Sequence, residues 1–176
     1  MKKTSYIPKP SIAPKKTSAS NTEATTLEGK VIGIMDDDPL ICKTVELFLY
    51  EFGAMLKMIE KAREFEPMLK KRELDLIILD IHMPEINGLD LLKSLKNVDQ
   101  KIPIVILTAS HYEKKLVETA FQRGASGFIS KQLLQKESLQ QTLLRALSPQ
   151  TRAGSSPFRK HTIPRKRANP KDDKKE

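Results

Sequence analysis

A single cysteine, Cys42, leaves no intramolecular disulfide to form, and a reducing compartment such as the cytoplasm is the expected setting. No run of roughly 18 apolar residues occurs, so no membrane-spanning helix is expected. The N-terminus, MKKTSYIPKPSIAPKK, opens with positive charge as secretory leaders do. Prolines and lysines break up any apolar segment behind it, so no cleaved leader is expected. Internal repeats are missing beyond a simple alternation of strand-like and helix-like segments. So is a helix-turn-helix pattern. The basic stretch RKHTIPRKR has no aromatic interleaving beyond Phe158, which speaks against sequence-specific readout of DNA.

What is present divides the 176 residues into three parts. Residues 1–30 carry six Lys/Arg and two Glu, and residues 148–176 carry nine Lys/Arg and three acids. The middle, 31–147, carries 16 basic and 17 acidic residues, so the net charge of +9 resides in the ends. We read one near-neutral domain over 29–147, with disordered basic tails over 1–28 and 148–176. The C-terminal tail, with four prolines and little apolar content, cannot build a core. It is either a solvated extension or an electrostatic contact for nucleic acid or an acidic protein surface. Such a contact would weaken steeply with salt.

Within the middle, short apolar runs alternate with helical periodicity. KVIGIM (30–35) reads as a strand. Asp38-Pro39 follows as an N-cap with proline at the first helical position. Ile41, Val45, Phe48, Leu49 and Phe52 fall at helical spacing, and Gly53 is placed to end that helix. Further strands are expected over 54–59, 74–80, 101–109 and 125–131. Helices are expected over 61–72, over 89–96, from a Ser110-x-x-Glu113 capping box to about Arg123, and over 133–147. Gly124 ends the helix before it, and Gly88 is read as a turn residue with positive φ. Five βα repeats with strands apolar on both faces imply a doubly wound, five-stranded parallel α/β sheet with five helices.

In such sheets ligands bind beyond the carboxyl ends of the strands. The polar residues at those ends are Asp36, Asp37 and Asp38, then Asp80, Thr108 and Lys131. Three adjacent carboxylates at the mouth of a buried strand repel one another and raise one another's pKa, so they need water or a cation. Oxygen ligands in a small acidic cleft suit Mg²⁺, which keeps several waters and favours phosphate as a co-ligand. An aspartate beside that metal can act as a nucleophile toward phosphorus, with a lysine and a hydroxyl steadying the phosphoryl oxygens. Each residue also has a plain reading. The acidic run could be a solvated turn, with Asp38 as helix cap rather than ligand. Asp80 could be a turn residue, Thr108 could end a strand, and Lys131 could be a surface lysine. Cys42 is read as a packing residue, and His111 as an exposed residue of its helix's first turn.

MDDDP, DLIILDIHMPEING, PIVILTAS and GASGFISK, in that order, resemble the receiver domains of two-component response regulators, the CheY-like fold with flavodoxin-like topology. The resemblance covers about residues 30–147. It implies that Asp80 is the phosphoacceptor, that Asp36 and Asp37 with Asp80 and the backbone carbonyl of His82 hold Mg²⁺, and that Thr108 and Lys131 sense the phosphoryl group. It further implies Phe128 as an aromatic switch, and His82 and Ser110 as positions that tune hydrolysis. Separations of 43, 28 and 23 residues between Asp37, Asp80, Thr108 and Lys131 are ordinary for such domains. One departure is Lys131-Gln132, where the family usually has Lys-Pro in cis. A non-proline cis bond costs roughly 2.5–4 kcal/mol, so a trans bond and a different presentation of Lys131 are expected.

The resemblance implies a phosphoacceptor, not an enzyme, and with no output domain read in the sequence a stand-alone receiver is expected. It would be charged by a histidine kinase or phosphotransfer protein and would signal through an unknown protein partner. The alternatives are a nucleic-acid-associated regulator acting through its tails and a receiver serving as an unphosphorylated scaffold. A flavodoxin would need a Ser/Thr-rich phosphate loop where MDDDP stands. A haloacid-dehalogenase-type phosphatase would need aspartate where His82 stands.

Overall fold

The computed structural model describes residues 26–109 and 113–148. The readings made for residues 1–25, 110–112 and 149–176, including most of both tails, Ser110 and His111, lie outside the described residues. Strands β1 (Val31–Met35), β2 (Met55–Met58), β3 (Leu76–Leu79), β4 (Ile104–Thr108) and β5 (Gly127–Ser130) form one sheet in the order β2-β1-β3-β4-β5. Every pairing is parallel. The crossovers contain α1 (Pro39–Glu51), α2 (Phe65–Lys70), α3 (Gly88–Val98) and α4 (Lys114–Gln122), and α5 (Lys136–Leu147) closes the fold. No helix among the described residues is long and apolar enough to cross a membrane.

The central strands are apolar throughout because both faces are covered. Leu76 and Ile78 point into a core shared with α1 and α5, through Val45, Leu49, Leu139 and Leu143. Ile77 and Leu79 point into a second core with Phe65, Leu69, Leu92 and Leu95 of α2 and α3. Fully burying one such side chain contributes about 1.5–3 kcal/mol. These two layers hold the carboxyl ends of β1 and β3 side by side, at the point where the strand order reverses. That reversal opens a crevice at the sheet edge.

Helix ends show where the sequence rules operated and where they failed. The Asp38 carboxylate accepts the Leu40 and Ile41 N–H groups at 2.9 and 3.3 Å, as an N-cap should. Three helices close by one motif. At the end of α1, Gly53 N–H donates to the Tyr50 carbonyl and Ala54 N–H to that of Leu49. Gly124 and Ala125 do the same after α4, and Arg72 and Glu73 after α2. The motif needs a left-handed residue, and Arg72 adopts φ 55° without being glycine.

The helix expected over 61–72 is a 3₁₀ turn, Ala62–Glu64, followed by the shorter α2. Pro67 has no N–H, so it fits the first turn of α2 and not the interior of a longer helix. The capping box expected at Ser110-x-x-Glu113 is also corrected. Glu113 is itself the N-cap residue of α4 and makes no side-chain cap. The last helix starts three residues later than expected. Lys131–Leu133 form a 3₁₀ turn, Gln135 is extended, and its N–H meets Ser138 Oγ at 3.3 Å.

Candidate functional site

Asp36 and Asp37 directly follow β1, Asp80 follows β3, Thr108 ends β4 and Lys131 follows β5. The parallel register places all five at one edge of the sheet. Asp80 continues the ladder with its N–H on the Met35 carbonyl at 3.0 Å, which locks its backbone beside Asp36. The Asp36 and Asp80 side chains are 1% and 2% exposed, while Asp37 is exposed. Carboxylate oxygens of the three lie within 4.8 Å of one another.

One cation offsets this charge. The Lys131 ammonium donates to Asp36 Oδ1 and to Asp80 Oδ2, each at 2.7 Å. Asp80 Oδ1 accepts the His82 N–H at 3.0 Å, and Asp36 Oδ1 accepts the Asp38 N–H at 2.9 Å. Asp36 Oδ2 is buried with no hydrogen-bond partner among the described residues. Burial holds the Asp36 carboxyl above its ordinary value, against the lowering pull of Lys131 and the Asp38 N–H. Burial also works to lower Lys131, but its hydrogen bonds to Asp36 and Asp80 outweigh that and leave it raised.

A buried, negatively charged oxygen without a donor costs about 1–3 kcal/mol or more, so the site carries an unmet demand for positive charge. The donor set at hand is oxygen only: Asp36, Asp37 and Asp80. That set fits a hard divalent cation such as Mg²⁺.

Thr108 is fully buried at the end of β4, in register with Ser130 of β5. Phe128 is half-buried, pairs with Ile106 and packs on the second core. His82 is exposed at the mouth, and its backbone N–H donates to Asp80 Oδ1. Lys131 opens its 3₁₀ turn and reaches both carboxylates without a following proline. Cys42 is buried, with its thiol 3.7 Å from the Asp36 carbonyl.

Two residues of the loop after β3 have roles that the sequence reading missed. Asn87 Oδ1 accepts the Leu89 and Asp90 N–H groups at 3.0 and 3.3 Å and caps α3. Asparagine ahead of the periodic run LDLL is an N-cap signal that would have found it. Gly88 does not have the positive φ expected of it. It is the buried first residue of α3, pressed against the Asp80 peptide. A groove of about 460 Å³ lies beside this loop, lined by Met83, Ile86, Leu89 and Leu116 among others.

The family model for the response regulator receiver domain matches residues 32–144. The chain belongs to this family. Relatives of the receiver include the transcriptional regulatory protein ZraR of Escherichia coli O157:H7, 30% identical over 115 residues, covering 65% of the chain and 26% of ZraR. The response regulator protein TodT of Pseudomonas putida is 29% identical over 128 residues, covering 71% of the chain and 55% of TodT. The receiver thus spans between about a quarter and just over half the length of these two relatives. Among solved structures, chemotaxis protein CheY4 of Vibrio cholerae is 26% identical with TM-score 0.58, covering 66% of this chain and 98% of that one. A two-component response regulator from Clostridium difficile is 27% identical with TM-score 0.60, covering 67% and 95%. The doubly wound fold read from the sequence is therefore the fold of the family.

Proposed function

We propose that Asp80 accepts a phosphoryl group from a histidine kinase or phosphotransfer protein, and that phosphorylation changes the binding of a protein partner. The observation that carries this reading is the pairing of buried Asp80 with Lys131, beside an Asp36 oxygen that has no partner among the described residues. In the transfer, an Asp80 carboxylate oxygen bonds to phosphorus as the donor's P–N bond breaks. The pair of electrons leaves with the donor imidazole, and an acyl phosphate results. Asp36, Asp37, Asp80 and the His82 carbonyl would hold Mg²⁺, and the bound ion would supply positive charge to offset that of the phosphoryl oxygens. Lys131, already on Asp80 Oδ2, pairs with one of those oxygens, and the Thr108 hydroxyl donates to another.

The added charge and acceptor atoms draw Thr108 toward the phosphoryl group. Phe128, on the neighbouring strand, repacks and changes the surface around β5 and its flanking helices. His82, exposed at the mouth, and Ser110, two residues past Thr108 in the sequence, set how water reaches the acyl phosphate. The protein is a phosphoacceptor of the cytoplasm and turns over no substrate beyond loss of its own phosphoryl group. A second reading rests on the charge of the two ends: non-specific contact with nucleic acid, controlled by the receiver.

Incubation with acetyl phosphate and Mg²⁺, followed by intact mass, tests the first reading. A gain of one phosphoryl group that is lost in EDTA and in Asp80→Asn is the expected result. No gain with acetyl phosphate or across a histidine kinase panel would leave the domain as an unphosphorylated scaffold and refute the proposal.

A further inference from the structure

The first turn of α3 lies directly against the peptide that carries Asp80. A Cβ on Gly88 would sit 2.1 Å from the Asp80 carbonyl oxygen, 2.6 Å from Ile81 Cα and 3.0 Å from the Asp80 carbonyl carbon. All three are backbone atoms, so none can rotate aside. Gly88 N–H donates to the Ile81 carbonyl at 3.1 Å, and His82 and Asn87 form an antiparallel bridge. The chain therefore leaves β3 and returns to it as a closed loop. Asp80 itself has little room to yield, because it is buried and bonded to Met35 in β1. Any side chain at position 88 must be accommodated by shifting the loop. Its first residue after Ile81 is His82, the residue whose N–H holds Asp80 Oδ1.

We infer that Gly88 is a positioning residue for the Asp80 carboxylate. Its missing side chain lets α3 clasp the loop against β3, and the clasp keeps the His82 N–H on Oδ1 while Lys131 holds Oδ2. Both oxygens are then fixed, and the carboxylate is oriented before any donor arrives. The inference rests on the phosphoacceptor role proposed for Asp80. A displacement near 1 Å at a reacting group costs on the order of 100-fold in rate.

The experiment compares phosphorylation rates with acetyl phosphate in saturating Mg²⁺ for wild type, Gly88→Ala, Asn87→Gly and Gly124→Ala. Gly124 lies at the opposite edge of the sheet with φ 98°, so alanine there strains the fold without touching the site. Gly88→Ala is expected to slow phosphorylation by about tenfold or more while keeping its circular dichroism. Gly124→Ala is expected to lose thermal stability and keep the wild-type rate. Asn87→Gly adds no bulk but loosens the loop, and its rate should fall between the wild type and Gly88→Ala. Should Gly88→Ala fail to fold, Asn87→Gly decides.

A second readout is independent of phosphorylation. Hydrogen exchange at the His82 amide should lose protection in Gly88→Ala and keep it in Gly124→Ala. A folded Gly88→Ala with wild-type rate and a protected His82 amide would overturn the inference, as would equal slowing in Gly124→Ala. If wild type gains no phosphoryl group from acetyl phosphate or from any member of the histidine kinase panel, the phosphoacceptor reading falls, and the His82 amide alone decides whether the clasp exists.

Discussion

Replacing Asp36 by asparagine should stabilise the metal-free protein. The Asp36 side chain is 1% exposed, and one of its oxygens has no partner among the described residues. Asparagine has nearly the same shape. Its carbonyl can keep the bonds from Lys131 and the Asp38 N–H, and the buried charge is gone. An unsatisfied buried polar group costs about 1–3 kcal/mol, more when charged. Some of that penalty remains with the amide, so a gain of about 1–2 kcal/mol is expected. For a folded body of this size that is roughly 3–5 °C in Tm per kcal/mol.

The pH dependence has a definite sign. The Asp36 value in the folded state lies above its ordinary 3.8. Its contribution therefore favours the fold below 3.8 and is lost as pH rises through the folded value. The advantage of Asp36→Asn should be small in acid, open as pH climbs through the carboxylate range and level off by neutrality. Urea unfolding in EDTA across that range measures it. Mg²⁺ should reverse the trend, because wild type at 100-fold excess over Kd gains about 2.7 kcal/mol and the variant gains little. An Asp36→Asn protein less stable than wild type in EDTA at pH 7, or stabilised equally by Mg²⁺, would refute the reasoning.

Other predictions concern the scaffold. Arg72 holds a left-handed conformation that costs a non-glycine residue about 1–2 kcal/mol, of which glycine's chain entropy takes back about 0.5–1. Arg72→Gly should therefore raise stability by about 0.5–1 kcal/mol in urea unfolding, and a loss would contradict the strain. Asp38→Ala removes the cap of α1 and should cost about 0.5–2 kcal/mol by the same assay. The Cys42 thiol is pushed up by burial and then by Asp36, so alkylation at pH 8 should run roughly tenfold or more slower in native protein than in urea. Equal rates would place the thiol at the surface.

The central strands were legible because both of their faces are buried. VIGIM, LIIL and IVILT read as continuous apolar runs, and no competing helical period disturbs them. The site was legible for a related reason: strand ends carry the polar residues, and parallel pairing brings strand ends together. Asp36, Asp37, Asp80 and Lys131 meet there as expected, although they are up to 95 residues apart. What the sequence hid depends on contacts between elements. Gly88 looks like a turn glycine, and only the packing of α3 on the Asp80 peptide shows why a side chain cannot fit. Arg72 carries no left-handed signature, since tertiary closure imposes its conformation. The late start of α5 reflects the extended Gln135 and its Ser138 partner, which helical periodicity alone does not register.

Under the proposed function the phosphoryl group resides on Asp80. The most direct measurement is reduction of the freshly phosphorylated protein with borohydride, followed by peptide mass spectrometry. An acyl phosphate is reduced at its carbonyl, which converts the modified aspartate to homoserine. Homoserine at position 80, dependent on Mg²⁺, is the expected result. Conversion at position 36 or 37, or a phosphoryl group retained on His82, would contradict it.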